Sequence, residues 1–314
     1  MQRTSPLFSV IIDNYNYARF IPDAINSALD QDFEDYEIIV VDDASTDHSR
    51  EVMLAYGEKI KQVFLEKNGG QGAAFNAGFQ ASRGELICFL DADDIFFNNK
   101  LSVIAKIAAQ NPKAVLFHNK GYMINKCGKV IDKIFPKKSL HGNVRKKILS
   151  YSESLFPPTS FLTFRRDFLH KILPCTPFLN RIDADFPLQI LAGILGDVVE
   201  IDEPLGYYRL HGDNWFINHE LIVANLETCR QFLRRTEKEI YFINTKLAEL
   251  GSEDRIHLLR HRFHRRNLFI FNQLGWWDYL SHALINPNFI NMRDRLDYII
   301  FGIRRRLEYN ARTG

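Results

Sequence analysis

The sequence lacks the features that mark several common classes of protein. It has four cysteines in 314 residues. These are far apart, with no CxxC pair and no histidine at zinc-ligand spacing, so we expect neither a disulfide framework nor a structural zinc. The formal net charge is only +2, whereas a dedicated nucleic-acid binder needs an excess of cations to displace phosphate counterions. We therefore expect a protein of a reducing compartment that does not bind nucleic acid.

Long apolar runs are also absent. The N-terminal segment turns polar after one short run, and the longest apolar stretch, near residues 188–195, is less than half a bilayer span. The sequence thus predicts neither a signal peptide nor a transmembrane helix. We expect a cytoplasmic location. With 46% hydrophobic and 25% charged residues, the chain is long enough for one large domain plus an appendage.

Short β-rich runs alternate with helical patterns through the first hundred residues. The β-rich runs predict strands at 8–12, 37–41, 61–65 and 86–90. Apolar residues at helical spacing predict helices at 18–30, 47–56 and 72–81. Ser45 and Thr46 stand where the N-cap of the second helix is expected. Because this alternation is typical of βαβ units, we predict an α/β fold around a mostly parallel sheet.

The rest of the chain predicts a hairpin, a few further elements and a helical C-terminal part. The predicted elements are helix 99–110, a hairpin of strands 115–125 and 130–135, helix 184–195, and strands 198–201 and 206–210. After residue 219 the pattern changes to long helices, predicted at 221–250, 254–273 and 293–308. We therefore divide the chain into an α/β domain, 1–216, and a helical extension, 217–314.

Acidic residues follow three of the predicted strands. Asp13 follows the first, the pair Asp42-Asp43 follows the second, and residues 91–94 (DADD) follow the fourth. Ligands of open α/β sheets bind at the carboxyl ends of the strands. Turn or cap chemistry is the alternative for each site taken alone. Carboxylates gathered at one edge repel each other unless a hard cation balances them, which points to Mg²⁺ or Mn²⁺.

The order and spacing of these motifs resemble the inverting family 2 glycosyltransferases. That family usually has V-I-I-P-x-Y-N, V-V-D-D-x-S-x-D and L-D-x-D-D, and this chain has VIIDNYN at 10–16, VVDDASTD at 40–47 and LDADD at 90–94. Further similar segments lie at 68–70, 74–78 and 84–85, and the resemblance covers residues 7–214. It implies a GT-A fold, with a Rossmann-like, mostly parallel central sheet flanked by helices, followed here by the C-terminal helical extension.

The resemblance implies a site for a nucleotide-sugar donor. Asp43 is expected to hydrogen-bond the base, which Tyr15 stacks on. Asp91 is expected near the ribose and metal, and Asp93 as a ligand of the metal that bridges the diphosphate. Asp94 either caps the following helix or makes a second contact to metal or sugar. The full predicted donor-binding set is Asp13, Tyr15, Asp43, Lys67, Asn76, Asp91, Ala92, Asp93 and Arg209.

The resemblance also implies a catalytic base and a closing histidine. Inverting displacement needs a carboxylate that takes the proton of the acceptor hydroxyl. Residues 202–211 (DEPLGYYRLH) match the family's D-E-P-L-x-Y-Y-R-x-H. Counting back by the family's interval indicates Asp185, with Asp183 as the alternative base and helix capping as the structural alternative. Arg209 is expected to contact phosphate and His211 to be a metal or diphosphate ligand, the alternative being a turn histidine.

Two positions depart from the family pattern. Asp13 replaces the usual proline, which adds a carboxylate beside the nucleotide pocket or caps a turn. Phe75 replaces the usual arginine and removes a positive charge expected near the diphosphate. We therefore expect donor affinity to depend more strongly on the metal, Lys67 and Arg209.

The C-terminal third carries basic clusters beside apolar and aromatic residues. These lie at 230–238, 261–266 and 304–306, with Trp276, Trp277 and Tyr279 between them. One hypothesis is contact with an anionic membrane at its inner face, where a lipid-linked acceptor would be found. The alternative is a helical bundle that packs on the catalytic domain or on a second subunit.

The resemblance, together with the acidic strand ends, implies a metal-dependent hexosyltransferase. We expect a UDP-sugar donor, a glycan or lipid-linked acceptor, and a role in polysaccharide or glycolipid biosynthesis. One rival function is a nucleotidyltransferase, but residues 13–16 lack the Gly-rich basic loop expected after its first strand. The other is a domain that binds nucleotide sugar without turnover, which would be expected to lack the base.

Overall fold

Nine strands of one mixed sheet form the centre of the part of the chain that the computed structural model describes. They are β1 (Phe8–Asn14), β2 (Tyr36–Asp42), β3 (Lys61–Phe64), β4 (Leu86–Asp91), β5 (Ile95–Phe96), β6 (Ala114–Asn125), β7 (Val130–Phe135), β8 (Leu162–Arg165) and β9 (Asp197–Leu210). The described residues are 5–136, 140–151, 156–175, 184–212, 226–257, 275–277, 279–280, 296, 299–300, 302–304, 306–307 and 310–311.

The strand order is β3-β2-β1-β4-β8-β6-β9-β5, with β7 paired to β6. β1 runs parallel to β2 and β4, and β2 runs parallel to β3, so the first four strands form a parallel half-sheet. β8 is antiparallel to both β4 and β6, whereas β9 is parallel to β6. The predicted hairpin forms, since β6 and β7 pair antiparallel.

Helices connect the strands of the sheet. They are α1 (Ile21–Leu29), α2 (Ser49–Leu54), α3 (Gln71–Ala81), α4 (Lys100–Gln110), α6 (Arg166–Ile172) and α7 (Asp185–Leu195), and the second unit described below contributes α5 (Arg145–Tyr151) and α8 (Leu226–Glu249). β1 and β4 are almost wholly buried because helices cover both faces of the parallel half-sheet.

Helix α3 approaches the sheet closely because it has glycine where a side chain would clash. A Cβ atom at Gly78 would lie 2.4 Å from Ile11 Cγ2 and 3.3 Å from Val41 Cγ2. Three residues earlier, Phe75 is fully buried and stacks on Phe89, with ring centroids 4.1 Å apart. Glycine therefore permits the contact, and the aromatic pair fills the space beside it.

Several predicted elements differ from those observed. α1 begins at Ile21, three residues later than predicted. α2 begins at Ser49, so the N-cap predicted at Ser45 and Thr46 is wrong; instead, Asp47 Oδ1 accepts a hydrogen bond of 2.9 Å from Ser49 N. The two strands predicted at 198–201 and 206–210 are one, β9, because pairing with β6 continues through register shifts. β8, α5 and α6 were not predicted.

The chain divides into two compact units. One comprises residues 1–144 and 156–214, and the other comprises 145–155 and 215–314. The second unit therefore includes α5, which the predicted domains, 1–216 and 217–314, assign to the first. The division into a catalytic domain and an extension stays a prediction.

The second unit contains a long amphipathic helix, α8. Its buried residues include Ile240, Ile243 and Leu247, and Asn244 exchanges hydrogen bonds of 2.8 and 3.0 Å with the backbone of Ile256. Residues 254–257 are not helical, so the start of the predicted helix 254–273 is wrong, and its later part lies outside the described residues. Among the described helices, none is both long and apolar enough to cross a bilayer.

Candidate active site

The ends of β1 and β4 meet at one edge of the sheet. The register pairs Asp13 with Asp91 on one side and with Val41 on the other. Ala92 N donates a hydrogen bond of 3.2 Å to Asp13 O, so the backbone stays paired as β4 ends. The segment that follows β4 therefore begins directly beside Asp13.

Three carboxylates after β4 form a cluster that can hold a metal ion. Oxygen atoms of Asp91, Asp93 and Asp94 lie within 4.8 Å of one another. The chain turns sharply here, since Asp94 N donates a 3.0 Å hydrogen bond to Asp91 O. Ala92 is buried at this turn, where only a small side chain fits easily. The D-A-D-D spacing thus directs several carboxylates toward one point.

Ser160 and the end of β9 hold the cluster from behind. Ser160 Oγ donates to Asp94 Oδ2 at 2.6 Å and accepts from Asp91 N at 3.0 Å. Arg209 N donates to Asp94 Oδ1 at 2.8 Å. Asp94 is thus a fully buried support, and it does not cap the next helix, whose N-cap is Asn99.

Asp13, Asp91 and Asp94 have raised pKa values in the absence of a cation. Burial, followed by the charge of Asp93, raises the pKa of Asp13 to about 7. Burial and neighbouring carboxylates also raise the pKa values of Asp91 and Asp94 well above the usual range. Asp13 Oδ1 is buried without a hydrogen-bond partner among the described residues. A hard divalent cation fits this all-oxygen set, since it would satisfy the orphaned oxygen and balance the charge.

His211 lies next to the cluster. Its Nε2 is 2.8 Å from Asp93 Oδ2, and its side chain is only 3% exposed. The ring packs against Tyr17 and Phe20, with centroids 5.4 and 5.0 Å away. These aromatic contacts fix the imidazole beside Asp93, and its role as a metal or diphosphate ligand stays a prediction.

The guanidinium of Arg209 points to α1. Its Nε donates to Asp93 O at 2.8 Å, and a terminal nitrogen lies 2.6 Å from Asp23 Oδ2. The same group lies over the ring of Phe20, 5.0 Å from the centroid. Arg209 is thus tied to Asp23 and to the backbone of the cluster, and its predicted contact with phosphate is untested.

A second carboxylate pair lies at the end of β2. Asp42 is fully buried and accepts hydrogen bonds from Asn14, Ser45 N and Arg50 at 3.0 to 3.1 Å. Asp43 accepts from the backbone amides of the next loop, Gly69 at 2.8 Å and Gly70 at 2.6 Å.

This second pair therefore organises two loops. Burial raises the pKa of Asp43, and the two glycine amides partly oppose that shift. Its predicted contact with the base stays a prediction.

The remaining predicted donor residues lie in different surroundings. Tyr15 is 44% exposed and Lys67 is exposed, as contacts with a ligand require. Asn76 exchanges hydrogen bonds of 2.8 and 3.0 Å with the backbone of Cys175. Phe75 is fully buried and stacks on Phe89, so an arginine at position 75 would have to displace this packing to reach a diphosphate.

The candidate base opens helix α7. Asp185 is the first residue of that helix, and its Oδ2 accepts a 2.9 Å hydrogen bond from Gln189, one turn later. Its charge adds to the raised pKa of Asp91, and the side chain of Gln71 links Asp91 to Ala184, the residue before Asp185. Asp183, the alternative base, lies outside the described residues.

Two site residues were missed by the sequence reasoning, Gln71 and Ser160. Gln71 begins α3, and its side chain donates to Asp91 Oδ1 at 3.1 Å and accepts from Ala184 N at 3.2 Å. Neither residue belongs to a charged motif. The position of Gln71 could have indicated it, because Gln71 directly follows Gly69-Gly70 and begins a helix at the sheet edge that carries the acidic cluster.

Comparisons with known proteins agree with this fold. Residues 9–173 match the family described as Glycosyl transferase family 2. An uncharacterized glycosyltransferase of Nostoc sp. is 36% identical over 302 residues, which cover 93% of this chain and 92% of that protein. The family match gives no support to the nucleotidyltransferase alternative.

Solved structures of low sequence identity share the architecture. TarS 1-349 of S. aureus in complex with UDP-GlcNAc has a TM-score of 0.57 at 19% identity, covering 96% of this chain and 88% of that one. Mannosyltransferase PcManGT of Pyrobaculum calidifontis, in complex with GDP-Man and Mn²⁺, has a TM-score of 0.52 at 15% identity, covering 96% and 87%. The predicted GT-A type α/β fold is thereby confirmed.

Proposed function

Since the chain belongs to glycosyl transferase family 2, we propose that it is a metal-dependent, inverting hexosyltransferase that uses a UDP-sugar. The acceptor is a hydroxyl of a glycan or lipid-linked sugar, in the synthesis of a polysaccharide or glycolipid. The observation that carries this proposal is the Asp91, Asp93 and Asp94 cluster beside the helix that begins with Asp185.

The donor half of the proposal rests on the strand ends. Asp91, Asp93 and Asp94 are the residues that would hold the cation, with His211 beside Asp93 and Asp13 paired with Asp91 in the sheet register. Mn²⁺ or Mg²⁺ would neutralise charge on the departing diphosphate. UDP-GlcNAc and GDP-Man in the structurally similar proteins support a nucleotide-diphosphate sugar, and we favour UDP.

The acceptor half rests on Asp185. A carboxylate at the first turn of α7 can take the proton from an acceptor hydroxyl as its oxygen attacks the anomeric carbon. Gln189 orients that carboxylate through the 2.9 Å hydrogen bond. The bond from oxygen to the anomeric carbon forms as the bond to the diphosphate breaks, which inverts the configuration.

Replacement of the base tests this function. A thermal-shift screen of nucleotide sugars with Mn²⁺ first identifies the donor. Asp185→Asn is then expected to lower transfer to a panel of sugar and polyprenyl-linked acceptors by about 100- to 10,000-fold, because general base catalysis is lost. Calorimetric affinity for UDP in Mn²⁺ should change less than about twofold, since the donor ligands remain.

The matched control is Asp167→Asn, an exposed carboxylate in the first turn of α6. It should leave transfer and UDP affinity unchanged. Near-normal turnover of Asp185→Asn would assign the base to another group, first to Asp183.

We also propose a cytoplasmic location with peripheral contact of the helical extension to the inner face of the membrane. Exposed Ile300 and Leu307 stand near Arg304 and Arg306 in the sequence, and Trp277 is also exposed, a composition that suits an anionic lipid surface. Sedimentation with anionic vesicles at physiological salt should pellet the protein, and neutral vesicles should not. No pelleting would favour packing within the chain or a homo-oligomer through these helices.

A further inference from the structure

One amide side chain joins the metal cluster to the helix of the candidate base. Gln71 Nε2 donates to Asp91 Oδ1 at 3.1 Å, and Gln71 Oε1 accepts from Ala184 N at 3.2 Å. Ala184 is the N-cap residue of α7 and precedes Asp185 directly. A single side chain therefore connects the carboxylate of Asp91 to the start of α7.

Gln71 Nε2 also donates a longer hydrogen bond of 3.4 Å to Thr159 Oγ1, and the contacts with Ala184 and Asp91 allow one orientation of the amide. A backbone N–H can only donate, so it faces the oxygen of Gln71, and the carboxylate of Asp91 faces the nitrogen. The hydrogen bonds of one amide are mutually reinforcing, because polarisation at its nitrogen strengthens its carbonyl oxygen as an acceptor. A change in the position of Asp91 would therefore act on the amide of Ala184 at the start of α7.

Helix α3 anchors both sides of the segment that leads to α7. Asn76, five residues after Gln71, binds the backbone of Cys175 through two hydrogen bonds, and Gln71 binds Ala184. The N-cap of α3 itself is Gly70, and it makes no side-chain cap bond. The side-chain amides of Gln71 and Asn76 therefore bind Ala184 and Cys175 outside α3 and do not cap their own helix.

We propose that Gln71 is a positioning residue that couples occupancy of the donor site at Asp91 to the order of the α7 N-terminus. This inference rests on the proposed function, because it needs a donor that binds at the acidic cluster. Donor binding fixes Asp91, Gln71 follows through its donated hydrogen bond, and the Ala184 amide holds Asp185 in place for the acceptor.

Hydrogen exchange of the α7 start tests the coupling without a known acceptor. In the wild type, saturating UDP with Mn²⁺ is expected to slow exchange about 10-fold in a peptide spanning residues 184–192. Gln71→Met has nearly the same size but forms neither hydrogen bond. It should exchange about 10-fold faster without ligand and lose the slowing with ligand. The matched control, Gln80→Met, changes an exposed residue of the same helix and should behave as wild type.

A second variant separates the two halves of the link. Gln71→Glu keeps an oxygen for Ala184 N–H but loses the N–H that binds Asp91. It should keep the protection seen without ligand and lose the response to UDP and Mn²⁺. Equal slowing in Gln71→Met and Gln80→Met at saturation would overturn the inference. So would a wild type that binds UDP and Mn²⁺ by calorimetry without any slowing, whereas a wild type that binds neither overturns the proposed function itself.

Discussion

Carboxylates gather at two neighbouring places on the same sheet edge, and their surroundings differ. At the end of β2, Asp42 and Asp43 receive donors from the protein, including Arg50 and the amides of Gly69 and Gly70. At the ends of β1 and β4, carboxylates face one another, and Asp13 Oδ1 has no partner among the described residues. The first place is complete as protein, whereas the second would be completed by the proposed cation.

This difference separates two uses of the same residue. A buried carboxylate that accepts several hydrogen bonds stabilises the loops that donate them. A buried carboxylate among its own kind has a raised pKa and destabilises the protein without a ligand. Acidic residues at strand ends are thus distinguished by their donors more than by their position in a motif.

The largest expected effect is the loss of donor binding in Asp93→Asn. The variant keeps the shape of the side chain but lowers the charge of the cluster, so Mn²⁺ is held less tightly. We expect the calorimetric affinity for UDP in Mn²⁺ to fall at least about 100-fold. Replacing a residue that only hydrogen-bonds a metal ligand usually lowers metal affinity by about 10- to 100-fold. The melting temperature without metal should change little, because the relief of carboxylate repulsion offsets the weakened contact with His211.

Asp42→Asn is the matched control in the other place, and it should show the reverse. Its carboxylate is buried, and Arg50 Nε lies 3.0 Å away. Amide replacement should destabilise the fold by about 2 kcal/mol, since charged hydrogen bonds are lost, and lower the melting temperature by about 5 °C. UDP affinity should stay within about threefold where the protein is folded. A larger loss of UDP affinity than in Asp93→Asn would contradict the contrast between the two places.

The parallel half-sheet was predictable because local signals and burial agree there. β1, β2, β3 and β4 lie within two residues of the predicted strands. β1, β2 and β4 are mostly buried and appear as apolar runs, whereas β3 (KQVF) is short and only partly buried. β8 was missed because its sequence, LTFR, is too short to show a period. It takes its place only through pairing with both β4 and β6, a tertiary cause that no local window contains.

The site was predictable in its carboxylates and unpredictable in its supports. Asp91, Asp93 and Asp94 follow from a motif, and the structure brings them together. Ser160 reaches Asp94 across 66 positions of sequence, and Gln71 reaches Ala184 across 113. Such neutral side chains carry no charge pattern, and only the fold shows their partners.

The smallest expected effect concerns the pH dependence of stability at the ends of β1 and β4, the second place. Burial and the charge of Asp93 raise the pKa of Asp13 from 3.8 to about 7. The metal-free folded protein therefore keeps a proton that the unfolded chain releases above about pH 4, so the free energy of unfolding falls as the pH rises from about 4 to about 7. Because Asp13 is partly exposed, solvent screens the effect, and we expect a contribution of about 1 kcal/mol.

Urea unfolding in EDTA measures this contribution as the difference between wild type and Asp13→Asn. The two should be closest in stability near about pH 4, and the variant should be the more stable by about 1 kcal/mol near about pH 8. Saturating Mn²⁺ should cancel the advantage of the variant, because the ionised wild-type carboxylate then has its cation. Parallel pH profiles for the two proteins would show that the carboxylate of Asp13 is as well stabilised by the folded protein as that of Asp42. The contrast between the two places would then not include Asp13.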